Sequence, residues 1–245
     1  MNLYRPALWQ IPQLTQQNQP ELQHKIAVLE QRLRQINDEH QQVKFAHSLA
    51  VEDTVILDVI SKLNANITVF TLDTGRLNPE TQAFLQTLAQ VYPTISIERY
   101  QPDQQKVTDY VETFGQNAFY DSVAARKQCC HIRKVEPLNL ALQNADAWLT
   151  GQRQSQSVTR QSLAFKEWDS TRQIAKYNPI FDWSEEDVWA YILQFNLPFN
   201  ALYQQGYPSI GCEPCTRPVK QGENIRAGRW WWESQDSKEC GLHKS

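Results

Sequence analysis

Val43-Lys44-Phe45-Ala46-His47-Ser48 predicts a β-strand, and Leu49-Ala50-Val51-Glu52-Asp53 carries the chain from that strand into a helix. Apolar residues at helical spacing then extend this helix; they are Val55, Ile56, Val59, Ile60 and Leu63. A strand, a loop and a helix in this order form the unit from which parallel α/β sheets are built.

The same unit recurs along the chain. Ile67–Leu72 predicts a second strand, and a helix follows from Asn78-Pro79 to about Tyr92, with proline in its favoured first turn. Residues 94–100 predict a third strand and residues 147–150 a short fourth one. This alternation predicts an α/β fold with a doubly wound, mostly parallel sheet.

The regions on either side of this pattern are different. Residues 1–19 are polar and rich in glutamine, which predicts an irregular lead-in. An apolar stripe predicts a helix over about 20–40; it consists of Leu22, Ile26, Leu29, Leu33 and Ile36. The stripe could form a dimer seam, but packing against its own domain is commoner for two heptads. A further helix is predicted from Ser184 to about Phe195, with a capping-box-like start.

Glycine and proline punctuate the sequence beyond about residue 206. We therefore expect three regions: a lead-in at 1–19, an α/β nucleotide-binding domain at 20–205, and an irregular C-terminal segment with a mobile tail at 206–245. The sequence does not give the oligomeric state, and a homo-oligomer is left open.

Composition narrows the class of protein. The 245 residues have a formal net charge of −3, which argues against a general nucleic-acid binder. No apolar run approaches the length of a membrane span, and the first 14 residues lack the apolar core of a signal peptide. We therefore expect a cytoplasmic protein. In that reducing compartment, five cysteines favour metal binding or catalysis over disulfides.

Three loops follow predicted strands, where parallel α/β sheets bind their ligands. Residues 48–53 lead into a helix whose N–H groups could face an anion, although this is not a Walker A loop. Asp73-Thr74-Gly75-Arg76 offers groups suited to a ribose or a base. Gly151-Gln152-Arg153, with Arg160 downstream, offers guanidinium groups for phosphate. Together the three loops predict a nucleotide site.

The cysteine pattern is the stronger signal. Cys129-Cys130 and the downstream Cys212-Glu213-Pro214-Cys215 supply four thiolates, which fit tetrahedral zinc or a [4Fe–4S] cluster. Adjacent cysteines chelate one small ion awkwardly but could reach different irons, so we favour the cluster. Basic residues flank both pairs and predict a local anion pocket; they are Arg126, Lys127, Arg133, Lys134, Arg226 and Arg229. We expect the run Trp230-Trp231-Trp232 to serve as core or lid.

A fifth cysteine, Cys240, lies in the terminal run Lys238-Glu239-Cys240-Gly241-Leu242-His243-Lys244-Ser245. The basic residues of this run favour the thiolate, which is the nucleophilic form. This segment alone leaves two interpretations open: a nucleophile on a swinging tail, or a free cysteine on a frayed end.

These motifs, taken in order over about residues 45–243, resemble the assimilatory sulfonucleotide reductases. The likeness is closer to the iron–sulfur adenylylsulfate (APS) reductases that use thioredoxin. The motifs that match are residues 48–53, 72–76, 129–138, 151–153, 210–215, 226–230 and 239–243. The resemblance implies an adenine-nucleotide α-hydrolase-like fold, related to the PP-loop ATP pyrophosphatases. Ser48-Leu49-Ala50-Val51-Glu52-Asp53 lacks the glycines of the PP-loop, which fits the reductase branch.

The resemblance also implies roles for particular residues. A [4Fe–4S] cluster would be bound by four cysteines: Cys129, Cys130, Cys212 and Cys215. Cys240 would be the nucleophile, and the phosphosulfate would lie among Lys134, Arg226, Arg229 and His243. The nucleotide pocket would include Ser48, Asp73, Gly151 and Arg160. We further hypothesise that the cluster positions Lys134 and tunes the local field.

The implied reaction is attack by the Cys240 thiolate on the sulfate sulfur of APS, which releases AMP and leaves a cysteine S-sulfonate. Thioredoxin, or glutaredoxin, would then release sulfite by thiol exchange. A reductase for the 3′-phosphorylated substrate, PAPS, is the nearest alternative, but that branch typically lacks the four additional cysteines. An iron–sulfur redox sensor that binds nucleotide leaves the reactive tail unexplained. A tRNA-thiolating PP-loop enzyme is disfavoured by the missing glycines and the acidic balance.

Overall fold

A computed structural model of the chain describes residues 6–13, 19–157 and 160–234. The elements follow one another as α1 Gln19–Glu39, β1 Val43–Ala46, α2 Val51–Leu63, β2 Ile67–Leu72, α3 Pro79–Val91, β3 Ile97–Tyr100, α4 Gln104–Phe114, α5 Val123–Cys130, α6 Glu136–Ala141, β4 Ala147–Leu149, β5 Lys166–Asp169, β6 Ile174–Tyr177 and α7 Glu185–Gln194. A π-helical turn, His131–Val135, connects α5 to α6.

The six strands form one sheet in the order β3-β2-β1-β4-β6-β5. All neighbouring pairs are parallel except β5 and β6, which are antiparallel. The sheet grows outward in both directions from β1, which confirms the predicted doubly wound α/β fold. The order reverses beside β1, so the carboxyl ends of β1, β2 and β4 open onto a shared crevice.

Helix α1 uses its apolar stripe inside the chain. Leu29, Leu33 and Ile36 are fully buried in the main core, and the helix packs on α2 and α7. At its outer side Arg32 pairs with Asp182 at 2.7 Å. The predicted helix is confirmed, and its stripe packs against its own domain, as expected for a stripe of two heptads.

Several elements were not predicted from the sequence. These are α4, α5, α6 and the hairpin of β5 and β6. Strand β5 is polar, and β6 contains Lys176, so neither shows an apolar alternation. The two strands are stabilised by pairing with each other, and Lys176 also lies 3.0 Å from Glu167 across the hairpin. Two predicted strands are shorter than expected: β1 stops at Ala46, and β3 begins only at Ile97.

The segments at the two ends of the described chain lie together. Trp9 donates its N–H to the Val219 carbonyl at 2.9 Å, and Gln221 donates to the Ala7 carbonyl at the same distance. Trp9 also packs against Trp189. The lead-in is thus paired with the C-terminal segment, while the predicted division near residue 206 stays a prediction. Within residues 6–13, 19–157 and 160–234, no helix is long and apolar enough to cross a membrane.

One buried ion pair fastens the C-terminal segment to α5. Arg126 is fully buried and donates to both carboxylate oxygens of Glu233, at 2.5 and 2.9 Å. Its guanidinium also stacks over Trp230, 4.7 Å from the ring centre. Helix α5 ends in the first cysteine pair. The ion pair of Arg126 and Glu233 therefore ties the helix that carries these cysteines to the chain immediately before residue 235.

We expect Glu233→Gln to lower the free energy of unfolding by about 3 kcal/mol, because it leaves Arg126 buried without its counter-charge. Thermal or urea unfolding of the purified protein measures this change. Glu112→Gln, at an exposed position of α4, is the matched control and should shift the midpoint little. Equal midpoints for the two variants would contradict the prediction.

Candidate active site

A cavity of about 230 Å³ lies where the carboxyl ends of β1, β2 and β4 meet the C-terminal segment. Strand-end residues line one side, and residues 208–212 and 225–230 line the other. A switch point of a parallel sheet is where α/β proteins bind ligands. Six of the predicted catalytic and substrate-binding residues line this cavity; they are Ser48, Lys134, Gly151, Arg160, Arg226 and Arg229.

The loop from β1 to α2 takes a glycine-like shape without glycine. Leu49 has φ +66°, in the left-handed region that non-glycine residues rarely adopt. Its side chain is buried in the main core, and this burial offsets the backbone strain. The loop therefore turns sharply into α2, whose first residue is Val51. The missing glycines do not abolish the turn that carries the chain to the cavity.

Two carboxylates at the start of α2 are held by specific donors. Glu52 accepts from Arg153 at 2.8 Å and from Gln156 at 2.9 Å. Asp53 accepts from the Ser48 N–H at 2.7 Å and from the Ser48 hydroxyl. The bonds of Glu52 join the loop after β1 to the loop after β4. These two strand-end loops of the cavity therefore have one fixed geometry.

Gly151 is required by the position of Asp53. A methyl group at residue 151 would lie 2.2 Å from the Asp53 carboxylate, which is too close for any side chain. Burial raises the pKa of Asp53 to about 7, although hydrogen bonds from Ser48 and Gly151 oppose the rise. Asp53 thus titrates near neutral pH inside the cavity.

This raised pKa gives a pH-dependent stability. The folded chain binds the Asp53 proton more tightly than the unfolded chain, so that contribution is present below pH about 4 and is lost as the pH rises through about 7. Asp53→Asn removes the ionisation. Its stability relative to the wild type should therefore increase between about pH 5 and pH 8, by at most about 3 kcal/mol, because about two pH units of the titration lie in this window.

Urea unfolding at both pH values measures this difference. Asp73→Asn is the control, because hydrogen bonds from Gln101 and Gly75 and the charge of Arg99 outweigh desolvation and lower the pKa of Asp73. The stability from Asp73 is lost only as the pH falls below about 4, so this variant should show no trend over the same window. The prediction would be contradicted if the free energy of unfolding changed with pH by the same amount in the wild type and in Asp53→Asn.

The loop after β2 does not expose its acid to the cavity. Asp73 is buried and accepts from Gly75 at 3.0 Å, from Gln101 at 2.8 Å and from Arg99 at 2.9 Å. It is not among the cavity-lining residues, whereas Thr74 is. The carboxylate therefore shapes the loop that presents Thr74.

All four cysteines of the predicted metal site line a second, smaller cavity. Cys129 and Cys130 come from the end of α5, and Cys212 and Cys215 come from the C-terminal segment. The Thr74 hydroxyl lies 3.3 Å from the Cys212 sulfur, within hydrogen-bonding distance. Among the residues that the structure describes, no three His, Cys, Asp or Glu side chains converge closely enough to hold a single metal ion. The thiols thus surround a space without closing on one point.

Charge around these thiols is uneven. Burial alone would raise the pKa of Cys212, but the Lys134 charge, the Thr74 hydrogen bond and the Arg229 charge lower it below the usual value. Burial and the nearby Cys212 raise the pKa of Cys215 to about 12. The basic groups therefore favour the thiolate at the cysteine nearest the large cavity.

Three residues line both cavities: Lys134, Cys212 and Trp230. Lys134 lies in the π-helical turn, which follows directly after the adjacent cysteines. Such a bulge inside a helical segment is frequent at functional sites. The cysteine site and the predicted nucleotide site are therefore neighbours across one wall.

Arg229 is seated in the wall by its backbone surroundings. It donates to the Ile210 carbonyl at 2.9 Å and stacks over Trp230 at 4.7 Å. A methyl group on Gly211 would lie 2.4 Å from this guanidinium, so the glycine leaves room for it. The Nε of Arg229 is buried without a hydrogen-bond partner among the described residues.

Two predicted catalytic residues, Cys240 and His243, lie outside the described residues. The structure adds cavity residues that sequence reasoning did not single out, above all His47, Gln152 and Trp230. His47 directly precedes the loop after β1, and that position was the available signal. Nothing in the sequence pointed to the ion pair of Arg126 and Glu233.

Comparison with known proteins agrees with this geometry. The model of the phosphoadenosine phosphosulfate reductase domain matches residues 42–218. The adenosine 5'-phosphosulfate reductase of Neisseria meningitidis serogroup A is 58% identical over 244 residues, which is 100% of both chains.

Two solved structures have a similar fold at low identity. The phosphoadenylyl-sulfate reductase of Candida auris has a TM-score of 0.66 and 24% identity, over 84% of this chain and 99% of that one. The FMN adenylyltransferase of Candida glabrata has a TM-score of 0.58 and 13% identity, over 94% and 81%. These neighbours confirm the predicted α/β fold with its mostly parallel sheet. The chain belongs to the phosphoadenosine phosphosulfate reductase family, alongside proteins named adenosine 5'-phosphosulfate reductases.

Proposed function

We propose that this chain reduces APS to sulfite and AMP in the assimilation of sulfate. The observation that carries the proposal is the shared wall of Lys134, Cys212 and Trp230, which joins a nucleotide-sized cavity to the four-cysteine cavity. A relative that is 58% identical over its full length, and is named an adenosine 5'-phosphosulfate reductase, supports the same substrate. We also place the reaction in the cytoplasm, where thiols are kept reduced.

In this proposal Cys240 is the nucleophile. Its thiolate attacks the sulfur of the sulfate group, an S–S bond forms, and the S–O bond to the AMP phosphate breaks. AMP leaves with the bonding pair, and Cys240 carries the S-sulfonate. Lys134, Arg226 and Arg229 neutralise the charge that develops on the leaving phosphate. We place His243 with these basic residues around the phosphosulfate.

The electrons come from a thioredoxin dithiol, with glutaredoxin as the other candidate donor. One donor thiolate attacks the Cys240 sulfur and expels sulfite, which leaves a mixed disulfide. The second donor thiol resolves that disulfide and restores the Cys240 thiolate. The dithiol loses two electrons, which balances the reduction of sulfate sulfur to sulfite.

Cys129, Cys130, Cys212 and Cys215 would hold a [4Fe–4S] cluster. All four cysteines line one small cavity, and the adjacent pair suits a group with separate iron corners better than a single zinc ion. A bound cluster supplies a fixed charge distribution beside the phosphosulfate. Lys134, on the turn that follows the first cysteine pair, lines both cavities and would therefore lie between the cluster and the substrate.

Among the nucleotide-side residues, we propose that Ser48, Gly151 and Arg160 contact the substrate. Each lines the large cavity. Asp73 holds the loop after β2 in place through its hydrogen bonds from Arg99 and Gln101. Its part in substrate binding is therefore to position Thr74.

Intact-protein mass spectrometry tests the reaction. Reduced protein, purified anaerobically, is incubated with APS and no thioredoxin, and any adduct is mapped. We expect one added SO₃ group on Cys240, which reduced thioredoxin removes. An adduct with PAPS but not with APS would assign the chain to the other substrate. No adduct with either nucleotide would refute the reductase function.

A further inference from the structure

An exposed aromatic patch lies beside the point where the described chain ends. Tyr120 is 41% exposed and Trp231 is 36% exposed, and the centroids of the two rings are 6.2 Å apart. Trp232 packs on both, with its centroid 4.4 Å from Tyr120 and 4.8 Å from Trp231. Ser234, the last described residue, follows Trp231 by three positions. Single apolar residues are normal on a surface, whereas neighbouring Trp and Tyr rings are typical of protein interfaces.

The aromatic patch is fixed in place by the segment that carries the second cysteine pair. The Tyr120 hydroxyl donates to the Pro214 carbonyl at 2.7 Å. The buried Phe119 ring packs beneath it, with centroids 4.7 Å apart. On the other side, Trp230 donates its backbone N–H to the Cys215 carbonyl at 3.2 Å. A surface that is already ordered loses little conformational entropy when a partner binds.

Two arginines form a basic rim around the aromatic patch. The exposed Arg217 guanidinium lies 5.9 Å from the Trp231 ring centre, and the Arg76 guanidinium lies 5.5 Å from that of Phe119. The exposed Glu213, whose N–H bonds to the Arg76 carbonyl at 2.8 Å, is an acid in the same region. The two cations outnumber this carboxylate, although the whole chain has a net charge of −3. The rim therefore attracts an acidic partner.

The position of the patch relates it to the tail. Trp230 lines both cavities, whereas the next residue, Trp231, faces solvent. Cys240 is six positions beyond Ser234, so its sulfur stays within about 20 Å of that residue even when the chain is fully extended. In the proposed reaction this sulfur first receives the sulfonate and then meets a donor thiolate. A donor protein must therefore dock close to Ser234, where the aromatic patch is exposed.

We propose that the aromatic patch and its basic rim bind the dithiol protein that releases sulfite from Cys240. The donor presents an apolar surface to Tyr120 and Trp231, and acidic groups beside that surface meet Arg76 and Arg217. Docking there brings the donor thiol to the S-sulfonate without entry into the large cavity. This inference rests on the proposed function, because only an S-sulfonate on Cys240 requires such a donor.

Sulfite release from preformed S-sulfonate tests the inference. Full-length protein, purified anaerobically, is loaded with APS and freed of nucleotide, and release is timed with reduced thioredoxin and, separately, with dithiothreitol. Trp231→Ser should lower the second-order rate constant for thioredoxin about tenfold or more, because tryptophans carry much of the binding energy of protein interfaces. The rate constant for dithiothreitol should stay within about twofold, since exchange with a small dithiol depends on access and not on docking.

Arg217→Glu is a second variant, at an exposed position where the fold tolerates the change. It should lower the rate constant for thioredoxin about tenfold at low salt, and by less at high salt, because added ions screen the rim. Trp168→Ser is the matched control. Trp168 is 57% exposed on the edge strand β5, and its replacement should leave both rate constants unchanged.

Unchanged rate constants for thioredoxin in both Trp231→Ser and Arg217→Glu would overturn the inference and leave the reductase function standing. An equal loss with dithiothreitol, or slower formation of the S-sulfonate, would show that the patch holds the protein's own tail instead. A smaller oligomer of Trp231→Ser in size-exclusion chromatography would assign the patch to a second copy of the chain. If the wild type forms no S-sulfonate, the proposed function fails, and the inference falls with it.

Discussion

Cys240→Ser should lower turnover of APS by about 10⁴-fold or more, because a serine hydroxyl is a far weaker nucleophile than a thiolate at neutral pH. Under the proposed mechanism no other group forms the bond to sulfur, so the S-sulfonate adduct should vanish as well. Sulfite release with reduced thioredoxin as the donor measures the rate, and intact mass measures the adduct.

The variant should still bind AMP within about threefold of the wild type, since the cavity walls are unchanged. That comparison separates loss of the nucleophile from loss of the fold. Iron content should also be unchanged, because the four cysteines that line the smaller cavity are all retained. Near-normal turnover, or an SO₃ group mapped to another residue, would show that Cys240 is not the nucleophile.

Arg229→Lys should lower kcat/KM for APS by about 10²-fold, although the charge is retained. The fork of Arg229 is fixed by the Ile210 carbonyl and by Trp230, and the residue lines the large cavity. A lysine supplies a point charge and cannot reproduce these directed donors. Steady-state kinetics with APS measures the effect.

Gly211→Ala tests the same group without changing it. Its methyl would lie 2.4 Å from the Arg229 guanidinium and must displace it, so we expect about a tenfold loss in kcat/KM. Arg217→Lys is the matched control: Arg217 is exposed, stacks near Trp231 at 5.9 Å and does not line the cavity. A loss with Arg217→Lys equal to that with Arg229→Lys would contradict a directed role for Arg229.

The sequence predicted the central elements because their information is local. Alternating apolar runs and helical stripes gave β1, α2, β2, α3 and the long α1. Strands β5 and β6 carry no such period; β5 forms because it pairs with β6, and β6 because it pairs with both β4 and β5. Helices α4 to α6 were missed for a related reason, since short amphipathic segments with mixed charge are weakly marked.

The candidate site divides in the same way. Its cysteine pairs, its basic residues and its strand-end loops were visible as motifs, because each is a short run of the chain. The contacts of Asp73, the partner of Arg126 and the raised pKa of Asp53 were not visible. Each depends on a residue or a surface contributed by another part of the chain.

By itself, the sequence determined the fold class, the family resemblance, and the cysteines and basic residues that line the two cavities. Local periodicity and short motifs are properties of neighbouring residues, so they survive without coordinates. Only the tertiary structure decided that Lys134, Cys212 and Trp230 form one wall, that Asp73 supports a loop, and that the pKa of Asp53 is raised. Burial and distance set hydrogen bonds and pKa values, and both arise when distant segments pack together.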